Sequence, residues 1–452
     1  MSTTTTSTQH IPSSFRNPNF LPEYLKRAMR LIASNISGWC EDGVGGIADI
    51  INIYMPIDGF KVQTNLILTI AAYARCERGQ GDLALLQAID TAQQIGMHLE
   101  GFGHTDCPTV QESWRRTWWE LYSIASMIRV LTPTTTALNT TLDRILPSND
   151  TDYSECHVTE SRTLDDMQDR LFTDDNTPYS SFAYRIEAVR ILNTVVEATQ
   201  QTSPHPDQTS NSLSASIKSY LLSVPTPNPN TPTDSNPDEL MSCAQMTINF
   251  ASILLHLPRS TLTTSPLQTI CATDRSKSTS TPLPSPTETQ TNTTSALTAA
   301  DAITNLLISR TARTLRTLSP CFSCAIAIAV TVQLSAYRIG QRADRARCLK
   351  EYIQLSLSAL DNIGQNWAVA KAVKRQLAEF AREILRRPRT KSARRQIGIV
   401  PVQEPGSLQM PVSLPLGLEG PAVVDLEDDF WLRSFVDDPL VYSFVGPSQG
   451  QS

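Results

Sequence analysis

The chain has 452 residues, 40% of them hydrophobic, which is enough for a sizeable core and for more than one folded unit. Its formal net charge of -6 argues against the global basic field that draws a protein to nucleic acid or an anionic membrane. The opening MSTTTTSTQH lacks the basic start and apolar core of a secretory signal, and the longest apolar run, near Cys324 to Val332, is far short of the roughly 20 residues that cross a bilayer. A soluble, intracellular protein with no membrane contact is expected, and its nine cysteines then read as small hydrophobes and free thiols.

Residues 1–20 are polar and read as disordered. From Leu21 to Ser34, Leu21, Leu25, Ala28, Met29 and Ile32 recur at helical spacing. A glycine-rich turn, Gly43 to Gly46, precedes an apolar segment from Ile47 to Met55 that stops at Pro56. A longer helix fits Lys61 to Arg78, with Gly79 and Gly81 expected to close it. Asp82 should begin the next helix and Gly96 should stop it, and so short a turn predicts antiparallel packing.

The stretch Thr109 to Val130, TVQESWRRTWWELYSIASMIRV, holds three of the six tryptophans. Thr109 and Glu112 have the spacing of a capping box, so a helix start is expected there. Trp114, Trp118, Leu121, Tyr122, Ala125 and Ile128 fall on one face, with Arg115, Arg116 and Arg129 at its edges, which reads as a core helix with a basic margin. A turn around Pro147 follows, and further amphipathic stretches cover Tyr184 to Thr199 and Asp238 to Leu257.

Residues 200–237 are rich in Ser, Thr, Pro and Asn and read as linker, with a small helical piece near Ile217 to Leu222. Residues 260–296 read as a disordered linker of Ser, Thr and Pro. Helices are then drawn at Leu297 to Leu318, Cys321 to Gly340, Gln341 to Ile363 and Trp367 to Arg386. No strand pattern appears except the ambiguous Ala325 to Val332, whose length and neighbours favour helix. The expected class is all-α, a multi-helix bundle with long linkers. Its divisions are 21–199, the first part of a helical regulatory domain; 238–259, a helix returning to the bundle; 297–386, the C-terminal helices; 387–420, a basic then Pro-rich linker; and 421–446, an acidic aromatic segment.

Three runs carry a family resemblance: LILTIAAYARCERGQGDLALLQAIDTAQQIGMHLE, then ESWRRTWWELYSIASMI, then ILPSNDTDY. Together they resemble the middle homology region of fungal zinc-cluster transcription factors. Arg115, Arg116, Trp118 and Trp119 match that family's arginine and tryptophan helix, and Leu146 and Pro147 match its leucine-proline turn. The resemblance implies a bundle of the fungal regulatory type, a nuclear setting and control of a gene set such as a biosynthetic cluster. The six closely spaced cysteines that hold two zinc ions in the family do not occur here: Cys40, Cys76 and Cys107 are too widely spaced. DNA contact is then expected through a partner or through a zinc cluster missing from this chain.

No catalytic or metal site and no cofactor is expected. Nucleophile-elbow, phosphate-loop and paired-histidine patterns do not occur, and Cys321-x-x-Cys324 lacks the further ligands of a zinc site. His98 and His256 lie beside leucines and read as satisfied core or boundary histidines. Charge is more informative, since fifteen Lys or Arg stand against five Asp or Glu from Arg338 to Arg395. Arg386, Arg387, Arg389, Lys391, Arg394 and Arg395 form a nuclear-import candidate that a carrier would read, the competing readings being a solvated linker and an arm that contacts nucleic-acid phosphates directly. In Asp425 to Phe444, six acids surround Phe430, Trp431, Leu432 and Phe435, a candidate activation segment for coactivators; the competing reading is a terminal helix folded onto its own domain. The expected partners are coactivators, a DNA-binding protein, an import carrier and a second copy of the chain. A helical interaction module outside transcription and an enzyme with an unrecognised pocket are the competing readings.

Overall fold

The computed structural model describes residues 21–37, 46–99, 102, 108–131, 138, 144–155, 162–170, 179–200, 206–225, 238–262, 285–339 and 343–386. Among these residues the structure is all-α, with fifteen helices and no strand. A single antiparallel bridge joins Ile145 and Thr163.

The first helices are α1 (Glu23–Ser37), α2 (Ile47–Ile51), α3 (Gly59–Ala74) and α4 (Arg78–Gln94). They share a core of Ala28, Leu31, Ile47, Ile50, Leu68, Ala71 and Ala84. The turn between α3 and α4 corrects the glycine reading. Cys76, with φ +64, makes the reversal, so Gly79 and Gly81 lie inside the first turns of α4. A Cβ on Gly81 would stand 2.6 Å from the Tyr73 ring, so this glycine serves close helix approach. Gly96, with φ +74, does end its helix as expected.

Then come α5 (Pro108–Leu131), α6 (Asp150–Ser154), α7 (Leu164–Asp169), α8 (Ser181–Gln200), α9 (Pro206–Ser223) and α10 (Glu239–His256). Helix α9 runs through about half of the stretch read as linker and extends the small helical piece expected near Ile217 to Leu222. Leu213, Ile217 and Tyr220 make its buried stripe, and the many serines ahead of Ile217 hid its first turns.

The last helices are α11 (Pro286–Ile308), α12 (Ala312–Thr317), α13 (Phe322–Ile339), α14 (Ala343–Gly364) and α15 (Ala368–Arg386). Helix α11 starts inside the second stretch read as disordered linker. Its start has a local cause: Ser285 caps the Glu288 amide, the Glu288 carboxylate returns to the Ser285 amide at 2.9 Å, and Pro286 takes the first helical position. The expected helix Leu297 to Leu318 is two helices, broken at Ser309 to Thr311.

One buried cluster runs from Val62 to Ala381 and takes side chains from both halves of the chain. At its centre α10 packs against α8, α9, α11 and α13, while α13 also meets α14 and α15. Every residue of α13 from Phe322 to Tyr337 is buried. Alanines at 325, 327, 329 and 336 let its neighbours approach on all sides, so the segment shows no 3.6-residue period and reads ambiguously in sequence. Both α10 and α13 are long and apolar enough to cross a membrane, contrary to the sequence expectation. Their apolar windows are 78% and 89% buried in protein, as in core helices.

Polar side chains inside this core are joined across helices. The fully buried Gln333 donates to Asp301 Oδ1 at 3.2 Å and Thr304 Oγ1 at 3.0 Å, and Thr304 meets Ser356 at 3.1 Å, which ties α11, α13 and α14 together. His256 bridges α9 and α11, with Nδ1 2.7 Å from Asn292 Oδ1 and Nε2 3.5 Å from Ser214 Oγ. Burial holds its pKa below the usual 6.5 against the pull of the Asn292 bond, and Lys218 and Arg259 add to the depression. The unfolded chain therefore binds this proton more tightly than the folded one. The stability from His256 is complete above the usual value and is lost as pH falls through the lowered one. From neutral pH to about pH 5 the urea midpoint should fall, and by less in His256→Gln; an equal fall in both contradicts the assignment.

Candidate functional site

The residues that carry the resemblance meet where α5 crosses the turn at 144–149. Trp118 and Trp119 are 2% and 0% exposed. The Trp119 indole N–H donates to the Ile145 carbonyl at 2.9 Å, and its ring stands edge-on to Tyr122 at 5.7 Å. Trp118 lies beneath the Arg144 guanidinium, 4.8 Å from ring centre to Cζ. Arg144 also donates to the carbonyls of Met97 and His98, which fastens the end of α4 to the turn. Trp114, at the front of α5, is edge-on to Phe60 at 5.1 Å. A Cβ on Gly59 would come within 2.5 Å of the Trp114 ring, so glycine is required at the first position of α3.

The capping-box reading of Thr109 and Glu112 is overturned. The helix already begins at Pro108, and Glu112 points inward with no exposed surface. One carboxylate oxygen pairs with Arg115. The other accepts from Arg116 Nε at 3.0 Å and from the Ser148 amide at 2.9 Å. A carboxylate this deep is tolerated because two guanidiniums and a backbone donor surround it.

Arg116 then reaches across the turn. It pairs with Asp150 Oδ1 at 2.5 Å, donates to the carbonyls of Ser148 and Asn149, and covers the rings of Tyr153 and Phe182 at 4.2 and 5.0 Å. Lysine could not supply this planar fork. Leu146 is 4% exposed and its amide donates to the Arg162 carbonyl at 2.7 Å, while the Pro147 carbonyl accepts from Ser180 at 2.7 Å. The seam between α5 and α8 continues with Arg185 forked onto Glu120 at 2.5 and 2.9 Å, Asn193 donating to Tyr122 and Ser126, and Arg129 paired with Glu197.

Thus Arg115, Arg116, Trp118, Trp119, Leu146 and Pro147 come together, and they form an internal joint. Sequence reading missed Glu112 as its centre and missed Arg144, Asp150 and Tyr153. The spacing of Glu112 to Arg115 and Arg116, three and four residues along a helix, was the available signal. The Cys321 thiol is pushed up to about 11, mainly by burial, which keeps it protonated. Among the described residues, no group of three or more His, Cys, Asp or Glu is placed to hold a metal. Arg386 is the last residue of α15; its side chain, the rest of the import candidate (Arg387, Arg389, Lys391, Arg394, Arg395) and the activation candidate (Phe430, Trp431, Leu432, Phe435) lie outside the described residues.

The architecture is that of an all-helical protein whose shared motif builds its own core. The chain is similar to the C6 finger domain transcription factor iacK of Pestalotiopsis fici, with 28% identity over 343 residues. The match covers 74% of this chain and 49% of that protein, so the chain spans about half the length of the relative. This agrees with the resemblance to fungal zinc-cluster factors found in the residues. No protein-family model matches the chain, and no solved structure matches it.

If the joint is held by the buried charge, Glu112→Gln should lower stability to urea by about 3 kcal/mol, because Arg115 loses the carboxylate it pairs with and Arg116 keeps only the exposed Asp150 carboxylate. Glu23→Gln, whose pairs with Arg27 and Arg30 are about half exposed, should be nearly silent. Equal effects from the two substitutions would contradict the assignment.

Proposed function

We propose that the chain is a fungal regulator of transcription whose helical body is a regulatory scaffold. The similarity over 343 residues to a C6 finger transcription factor carries this reading. It favours a non-enzymatic role and a nuclear setting. The finer reading is control of a gene set such as a biosynthetic cluster, with DNA contact supplied by a partner or by a zinc cluster outside this sequence.

In this account the basic residues Arg386 to Arg395 recruit an import carrier, and the acidic segment offers Phe430, Trp431, Leu432 and Phe435 to the apolar groove of a coactivator. Acidic neighbours keep such bulky side chains hydrated until a partner orders them. The fifteen-to-five excess of basic residues from Arg338 to Arg395 supports the first assignment, and six acids around four bulky groups support the second.

The test fuses the full chain to a fluorescent protein and an unrelated DNA-binding module that has no import signal of its own, in a fungal reporter strain. Nuclear accumulation and reporter output are expected. Replacing Arg386, Arg387, Arg394 and Arg395 by Ala should abolish most of the accumulation, and replacing Phe430, Trp431, Leu432 and Phe435 by Ala should remove most of the output in nuclear protein. Cytoplasmic residence of the unaltered fusion, or output no greater than that of the module alone, would contradict the proposal.

A further inference from the structure

Among the described residues two serines precede a proline, in Ser285-Pro286 and in Ser319-Pro320. This dipeptide is the unit that proline-directed protein kinases modify, and they bind it in extended form with the proline in contact. The two copies differ in what the fold leaves open. Pro320 is buried, as are Leu318 and Phe322 on either side of its dipeptide, and the Ser319 carbonyl accepts from the Phe322 amide at 3.1 Å. No enzyme can grasp that copy without opening the core.

At the other, Ser285, Pro286, Thr287 and Glu288 are all exposed. Ser285 has φ -57 and ψ 154, the polyproline-like shape that a following proline favours. Only the residues after it are helical, and their first turn is held by the cap. The Ser285 hydroxyl accepts from the Glu288 amide at 3.3 Å, while Glu288 Oε2 accepts from the Ser285 amide at 2.9 Å and from its hydroxyl at 3.0 Å. The side-chain bonds that tie this end of α11 to the body come later, from Asn292 to His256 and from Thr293 to Thr261. The turn from Ser285 to Glu288 can therefore open at little more than the cost of its cap, with the core undisturbed.

We propose that Ser285 is a phosphorylation site for a proline-directed kinase, reached when the first turn of α11 opens. In the transfer Ser285 Oγ attacks the γ-phosphorus of ATP: the new O–P bond forms, the bond from that phosphorus to the bridging oxygen breaks, ADP leaves, and the hydroxyl proton passes to the kinase's catalytic carboxylate. The product carries close to two negative charges at the start of a 23-residue helix, whose dipole favours them. The phosphate takes over the Glu288 amide and repels the Glu288 carboxylate from its place. The helix keeps its start and exchanges one cap for another. None of this depends on the transcriptional role.

The test incubates the full chain with MgATP and a purified mitogen-activated protein kinase, with sites assigned by mass spectrometry. Ser285 should be modified to near completion and Ser319 left bare. Glu288→Ala removes the return bond at an exposed position, so the urea midpoint should hold, and Ser285 should then be modified about fivefold faster. The same substitution in a synthetic peptide of residues 279–291, too short to hold a helix that must open, should leave the rate unchanged. The proposal is overturned if Ser285 stays unmodified in the full chain, if Ser319 is modified as fast, or if Glu288→Ala affects chain and peptide alike.

Discussion

A carboxylate with no exposed surface, that of Glu112, constrains the fold more than any other group in the N-terminal half. Desolvating it would cost several kcal/mol without compensation, so Arg115, Arg116 and the Ser148 amide must all be in place when α5 packs. Arg116 carries the requirement outward to Asp150, Tyr153 and Phe182, and thereby fixes where the turn at 144–149 and the start of α8 can lie. The tryptophans finish the arrangement. Trp119 holds the same turn by its indole N–H, and Trp118 carries Arg144, which reaches back to α4.

The C-terminal half is organised differently. Helices α10 and α13 are largely buried, and other helices surround each of them. Small residues set the spacing and a few polar bridges, such as Gln333 to Asp301 and Thr304, set the register. Nonspecific burial drives this half together, while directional bonds select one arrangement. The two halves meet through α8 on α10 and α15 on α3.

Much of this was legible in the sequence, and the failures have physical causes. Long amphipathic helices such as α5 and α15 announce themselves by period. Of α9 only the piece near Ile217 to Leu222 was legible, because Leu213, Ile217 and Tyr220 are its few bulky inward groups among serines. The first turns of α11 read as linker because Thr, Ser and Asn dominate them, although Ser285, Pro286 and Glu288 spell a helix start. Gly79 and Gly81 look like a helix stop, and only the Tyr73 ring shows why a glycine is needed within α4. Thr109 and Glu112 have the spacing of a cap, yet the same spacing lets Glu112 pair with Arg115 and Arg116, and burial decides between the two. The motif residues were found by resemblance, whereas their mutual contacts across 34 positions of chain could be seen only in three dimensions.

Native-state hydrogen exchange at the Ser148 amide tests the central claim most directly. This amide sits in a turn outside any helix, where exchange is ordinarily fast, but it is bonded to the buried Glu112 carboxylate. It should exchange only through the same opening that exposes the core of α5, and so match the amides around Trp119 at every denaturant concentration. Exchange as fast as that of an exposed loop amide such as Tyr54, with α5 still protected, would show that the buried charge does not hold the joint.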